Sequence, residues 1–325
     1  MTAQILITYN KKSFIPAVAS GIKWSLKRRS TPGKLTFTII DDKKFEIGEG
    51  AAVNFQYNKQ KIFFGFIFSL QRKKDGTIDV VAYDQLRYLK NKDTIVYSGK
   101  TAAELVTSIA QSYMLQTGDI EDTKYVIPSR IEENTTLFDT IEDALDDTLT
   151  NTKQMFVLFD DFGKLALRNI SSMYVKDEDE KYLLIDDTAA EDYSYKSSID
   201  DKTYNKIKLT YDNEDRGVRE VYIAQDSESM NSWGVLQYFE TLKEGENGQV
   251  KADALLNLYD RTTRQLKITK AFGDARVRAG SMVLVKLNLG DVSLSNFLMV
   301  EEVTHTFEES FHSMDLTLRG GVITG

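Results

Sequence analysis

Gly50-Ala51-Ala52-Val53-Asn54-Phe55-Gln56-Tyr57-Asn58 and, three residues later, Ile62-Phe63-Phe64-Gly65-Phe66-Ile67-Phe68 are the stretch from which the fold reads. In the first run Val53, Phe55 and Tyr57 alternate with Asn54, Gln56 and Asn58. Period two with one polar side marks a half-buried antiparallel strand. The second run is apolar on both faces. In a small barrel one face fills the interior, so the other needs cover. A neighbouring domain or another subunit supplies it, since a bare strand of this kind invites aggregation.

Outward from this stretch the pattern repeats. Leu35, Phe37 and Ile39 alternate with Lys34, Thr36 and Thr38, and Ile78, Val80 and Ala82 alternate with Thr77, Asp79 and Val81. Asp75-Gly76 supplies the positive φ of a tight hairpin. Residues 1–95 therefore read as a first β-barrel-like domain. Beyond Ser98 the texture changes. Thr101 with Glu104 makes a capping box ahead of Ala102, Leu105, Val106, Ile109 and Tyr113 at helical spacing. Thr136 with Asp139 repeats the device before Leu137, Ile141, Leu145 and Leu149. Two strand-like runs follow, Met155 to Phe159 and Lys164 to Ile170, so residues 96–192 read as an α+β middle domain.

An acidic loop (Asp177, Glu178, Asp179, Glu180) and a polar stretch lead into residues 193–325, read as a second β-barrel-like domain. One helix is expected at about 251–265, with Ala252, Leu255, Leu256 and Tyr259 on its apolar face. Strands return at Val283 to Leu287, Phe297 to Val303 and Met314 to Leu318. The fold class is mainly β with an α+β middle region. Gly50, Val53, Phe55 and Tyr57 have the spacing of Gly280, Val283, Val285 and Leu287, and an apolar strand follows each set. That echo is what two similar barrels would leave.

Composition narrows the function. The chain has 325 residues, 41 basic and 49 acidic, for a net charge of -8. General nucleic-acid and anionic-membrane binding need clustered positive charge, which only Lys27-Arg28-Arg29 approaches; it reads as a solvated loop tip. With no cysteine, thiolate metal sites and cysteine nucleophiles are excluded. No apolar run is long enough for a helical membrane span. The start lacks a signal-peptide pattern, so synthesis and folding in the cytoplasm are expected.

Chemical motifs fail on inspection. Gly99-Lys100-Thr101 imitates the end of a phosphate loop, but Thr94 stands where its first glycine belongs. Asp161-Phe162-Gly163 spells a kinase magnesium motif without its companions and fits a hairpin turn instead. The two histidines, His305 and His312, lie near Glu301, Glu302, Glu308 and Glu309. A metal site is one reading; a packed or solvent-facing pair in a hairpin is the other.

The run Gly50 to Tyr57, then Phe63 to Ile67, then Ala82-Tyr83-Asp84-Gln85-Leu86-Arg87-Tyr88-Leu89, resembles the XkdQ/YqbQ-type proteins of phage and phage-tail-like particles. Tyr195 to Lys208, Asp226 to Gln237 around Trp233-Gly234, and Ala271 to Gly280 with Gly273, Asp274 and Arg278 extend the likeness over most of the chain. These proteins are similar to the baseplate hub of contractile tails, the late control protein D group. The resemblance implies two barrels flanking an α+β domain, and a homotrimeric, pseudo-sixfold ring joining a sixfold tail tube to a threefold spike. Its partners would be itself, the tail tube protein, the central spike protein and other baseplate proteins, in a virion or tail-like particle. No membrane, specific nucleic acid, cofactor, metal or catalytic residue is implied.

Phe64, Phe66 and Phe68 are the expected subunit interface. The competing expectation is a tail-associated enzyme cleaving peptidoglycan or polysaccharide, which needs two carboxylates across a cleft, one with a raised pKa. A third is a carbohydrate-binding β module with exposed aromatic platforms.

Overall fold

A computed structural model describes residues 2–19, 21–177, 179–200, 202–213, 217–242, 246–289 and 293–320. Glu178 of the acidic loop and the glycine-rich end at 321–325 lie outside the described residues. Two compact units are present, residues 1–194 with 266–325, and residues 195–265.

The larger unit opens with β1 (Ala3–Tyr9), β2 (Lys12–Phe14), β3 (Ile22–Lys27), β4 (Lys34–Ile40), β5 (Ala52–Tyr57), β6 (Gln60–Arg72) and β7 (Thr77–Tyr83). An α+β segment follows: β8 (Lys92–Thr101), α1 (Ala102–Ser112), β9 (Thr117–Ile120), β10 (Val126–Thr136), α2 (Leu137–Thr152), β11 (Phe156–Asp160) and β12 (Leu165–Asn169). Both expected N-caps form: Thr101 closes a capping box with Glu104, and Thr136 accepts the Asp139 N–H. Then come β13 (Leu184–Asp186) and β14 (Asp192–Ser198).

The smaller unit holds β15 (Lys206–Asn213), β16 (Val218–Gln225), α3 (Ser227–Trp233), β17 (Gln237–Thr241) and α4 (Gly248–Tyr259). Its three strands pair in the order β16-β15-β17, with α4 packed on Ile207, Leu209 and Ala224. The chain ends through β18 (Thr263–Phe272), β19 (Met282–Asn288), β20 (Ser293–Phe307) and β21 (His312–Arg319).

The organising element is one 13-stranded sheet in which the same six-strand order occurs twice. The first half runs β3-β4-β7-β6-β5-β1 and the second β14-β18-β21-β20-β19-β13. The halves agree in detail. Ala52 faces Phe66 as Met282 faces Met299. Gly50 and Gly280 both take positive φ, +80° and +92°. Gly50 N–H donates to the Ile67 carbonyl at 2.8 Å and Gly280 N–H to that of Val300 at 2.7 Å. The ladder slips by one residue between Ile67 and Ser69, and again between Val300 and Glu302. The sequence echo is thus a structural duplication, differing where β1 lies antiparallel on β5 but β13 parallel on β19.

The halves join through β3, whose Ile22–Lys27 pairs with Phe307–Glu302 of β20. The strands of the first half close on a single core containing Ile7, Trp24, Phe37, Phe55, Phe63 and Val80, into which Phe307 inserts from β20. This differs from three consecutive domains at 1–95, 96–192 and 193–325. The C-terminal strands bond to the first ones, and residues 195–265 form a unit of their own. The helix expected to about 265 ends at Tyr259. Beyond it Leu266 and Ile268 are buried while Lys267 and Thr269 are exposed, the alternation of a strand.

Candidate functional site

Phe64, Phe66 and Phe68 are half-buried on one face of β6, opposite Phe63 and Ile67 in the core. Part of their cover comes from the α+β segment of the same unit. The Phe162 ring sits 5.9 Å from that of Phe64, and a Cβ on Gly163 would come within 2.6 Å of Phe64. Phe68 lies between Tyr83 and Tyr88, with the Arg87 guanidinium 5.3 Å over its ring.

The rest of Phe64 and Phe66 opens on a cavity of about 460 Å³, walled by Tyr88, Tyr113, Met114 and Leu115. Met114 is 88% exposed. Gln85 stiffens the wall: its Nε2 donates to the Gln116 carbonyl and its Oε1 accepts the Gln116 N–H, both at 3.0 Å. Rings, a thioether and amides line this cavity, and none of its lining residues is a carboxylate, histidine, lysine or serine. Its walls are chiefly apolar. The run Tyr113-Met114-Leu115 was its legible signal, because three apolar residues at a helix end where the chain turns are out of place on a solvated corner.

Behind the cavity lies a buried charge cluster. Asp84, 3% exposed, accepts the Gly33 N–H at 2.9 Å and the Leu86 N–H at 3.1 Å. Asp160, 8% exposed, accepts the Gly163 N–H at 2.7 Å, while its Oδ2 has no partner. Arg278 Nη2 donates to the Asp160 carbonyl at 2.8 Å, and its guanidinium stacks 4.0 Å over Phe159. Burial, reinforced by the Asp160 charge, pushes the Asp84 carboxyl well above the usual range. Burial raises Asp160 to about 6. These are the raised carboxyls an acid–base pair would need, but both are buried away from the surface a polysaccharide would reach.

The remaining candidates are structural. Asp161-Phe162-Gly163 forms the β11–β12 turn, with Gly163 at φ +84°. His305 and His312 are buried, with His305 Nδ1 2.9 Å from His312 Nε2 and His305 Nε2 2.9 Å from the Val277 carbonyl. Three of the four ring nitrogens are therefore engaged, and Glu301 and Glu302 are held by Arg28 and Lys27. That geometry favours the packed-hairpin reading over a metal site. The basic stretch is not a solvated tip. Arg28 grips Glu301 through two nitrogens, and Arg29 reaches Glu142 and Asp146 on α2.

With this geometry in place, comparisons with known proteins converge. The chain is 28% identical over 320 residues to the phage-like element PBSX protein XkdQ of Bacillus subtilis (strain 168), covering 96% of this chain and 95% of that protein. Its fold matches the 43 kDa tail protein of prophage MuSo2 from Shewanella oneidensis, with TM-score 0.67 at 11% identity over 97% of this chain and 98% of that one. It also matches E. coli c3393, a type VI secretion component described as structurally similar to the T4 tail proteins gp27 and gp5. There the TM-score is 0.57 at 10% identity, over 98% of this chain and 77% of that one. The YQBQ-like family profile matches residues 22–319. The chain therefore belongs to the YQBQ-like family and is a structural protein of the phage tail and baseplate.

Proposed function

We propose that this protein is the baseplate hub, a homotrimer whose six half-sheets make a pseudo-sixfold ring between a sixfold tail tube and a threefold spike. The observation that carries the reading is the duplication. Two halves with one strand order and one bulge position mean that three copies offer six near-equivalent ladders while keeping threefold symmetry. The resemblance of c3393 to T4 gp27 and gp5 supports it. The work is done by interfaces to neighbouring copies, tube, spike and other baseplate proteins, with no bond made or broken.

A cyclic assembly repeats a heterologous contact, so each chain presents two different complementary patches. Phe64, Phe66 and Phe68, with the cavity that opens from the first two, form part of one. Light scattering over a concentration series should give a trimer near three times 37.0 kDa. Phe66→Glu should break it while leaving a folded monomer. Met114→Glu does the same at a position 88% exposed, where folding is not at stake. Unchanged assembly in both variants removes these residues from the interface. Clearing of purified cell wall by the protein would instead favour the hydrolase.

A further inference from the structure

The smaller unit has a three-stranded sheet with one face covered and one face bare. On the covered face Ile207 of β15 stands beside Ala224 and Tyr238, and Leu209 beside Tyr222 and Glu240. The helix α4 lays Ala252, Leu255, Leu256 and Tyr259 over them. It also meets the charge it covers: Lys251 Nζ donates to Glu240 Oε1 at 2.8 Å. A sheet face of this kind is therefore satisfied by a helix with an apolar stripe and an opposite charge beside it.

Side chains alternate along a strand, so the residues between these belong to the opposite face. There Ile223, Lys208 and Phe239 stand in one row across the sheet, and Val221, Thr210 and Thr241 in the next. Val221 is 48% exposed, Ile223 46% and Phe239 56%. Large apolar groups gathered on one sheet face, rather than scattered singly, mark a surface that something covers. The middle strand sets Lys206 and Lys208 among them, and neither is held in an ion pair among the described residues. Arg219 and Asp212, at the end of the face, are bound to each other. The face is thus apolar with a positive centre, in a chain whose net charge is -8.

We propose that this bare face docks an acidic amphipathic helix from another tail protein. The inference goes beyond the ring reading and does not depend on it, because these strands take no part in the 13-stranded sheet. Width, charge and source identify the occupant. Three strands about 4.8 Å apart make a face about 10 Å wide, the breadth of one helix. Lys206 and Lys208 call for carboxylates beside the apolar stripe, the reverse of the Lys251–Glu240 contact on the covered face. The acidic helix of this chain, α2, is already engaged. Its Leu137, Phe138, Ile141 and Ala144 lie in a core, and Arg29 holds Glu142 and Asp146. The docking helix therefore belongs to a different protein.

Assembled tail particles are the material for the test. Gln237→p-benzoylphenylalanine puts a photo-cross-linker at an exposed position of the bare face, paired with Lys206, and leaves the three apolar residues in place. Irradiation should give an adduct whose second peptide, sequenced by mass spectrometry, comes from another tail protein. That peptide should carry Asp or Glu beside apolar residues at three- and four-residue spacing. Lys206→Glu with Lys208→Glu should lower the adduct about tenfold, with the urea midpoint of the purified chain unchanged. Lys206→Gln with Lys208→Gln, which removes the charges at similar side-chain length, should lower it severalfold and decides the matter if the first pair impairs folding. Asn257→p-benzoylphenylalanine, exposed on α4, should not catch the same peptide. An adduct joining two copies of this chain, a second peptide without carboxylates, or a yield indifferent to both lysine pairs overturns the inference. So does the absence of any adduct in particles that contain the protein, or equal capture from Asn257.

Discussion

The buried histidine pair makes stability depend on pH in a calculable way. A carbonyl oxygen only accepts, so His305 Nε2 carries the proton donated to Val277. His305 Nδ1 is then bare and must accept, so His312 Nε2 carries the proton between the rings. Both rings are neutral in the folded chain, packed with Trp24, Tyr57 and Phe307. Burial lowers His305 from 6.5 to about 3, helped by His312, and lowers His312 to about 4 against the pull of Asp274. The order follows from the bonds. His312 can take a proton on its free Nδ1 without breaking either hydrogen bond, whereas a proton on His305 Nδ1 removes an acceptor.

Because the folded pKa values are depressed, the unfolded chain binds more protons below 6.5. The contribution is complete above that pH and is lost as pH falls, down to about 4 for His312 and about 3 for His305. At pH 5 the loss is about 2 kcal/mol per ring and about 4 kcal/mol for both, whatever the folded values are below 5. That is a large part of the roughly 5–15 kcal/mol by which a domain is stable.

The perturbation is His312→Gln, whose amide still donates to His305 but does not titrate. Urea unfolding of both proteins at pH 7, 6 and 5 gives their difference, in which the opposing titrations of Asp84 and Asp160 cancel. The wild type should lose about 2 kcal/mol relative to the variant between pH 7 and 5. With two histidines in the chain, their ring proton signals can be followed directly and should stay neutral at pH 5. A difference flat with pH, or a ring titrating near 6.5, refutes the derivation.

Two further outcomes follow from the packing. Gly65→Ala places a Cβ 2.2 Å from the Tyr83 carbonyl oxygen and 2.6 Å from the Phe63 ring, against backbone that cannot yield. It should cost about 3 kcal/mol in chemical denaturation, and a cost below about 1 would contradict the close approach. Asp160→Asn removes a carboxyl raised to about 6, a group whose stabilising contribution is complete below 3.8 and lost as pH rises through 6. The variant should gain on the wild type by about 2 kcal/mol between pH 4 and 7 in the same assay, and a constant difference would place Asp160 in contact with water.

Much of this molecule is written locally. The alternation at Leu35–Ile39, Val53–Tyr57 and Ile78–Ala82 states which side of each strand is buried, because side-chain direction alternates whatever the partner. Thr101 and Thr136 state where helices begin, because a cap is a bond to a backbone N–H three residues away. Gly50 and Gly280 are legible because positive φ is a property of one residue. Where propensity stood alone, at residues 260–265, a helix was expected and the chain turned into β18, since the edge it joins lies elsewhere in the sequence.

Tertiary structure decided what covers what. The ladder between Ile22–Lys27 and Glu302–Phe307 joins the two ends of the chain, and nothing near either segment names the other. The ion pairs of Arg28 and Arg29 span 273 and 113 residues, so their basic run looked solvated until Glu301 and Glu142 were in place. Phe64, Phe66 and Phe68 declared a face in need of cover, but only the fold set Phe162, Gly163 and Tyr88 over part of it and left the rest open. An apolar or charged residue encodes the demand for burial or a partner; which distant group meets it is a property of the closed chain.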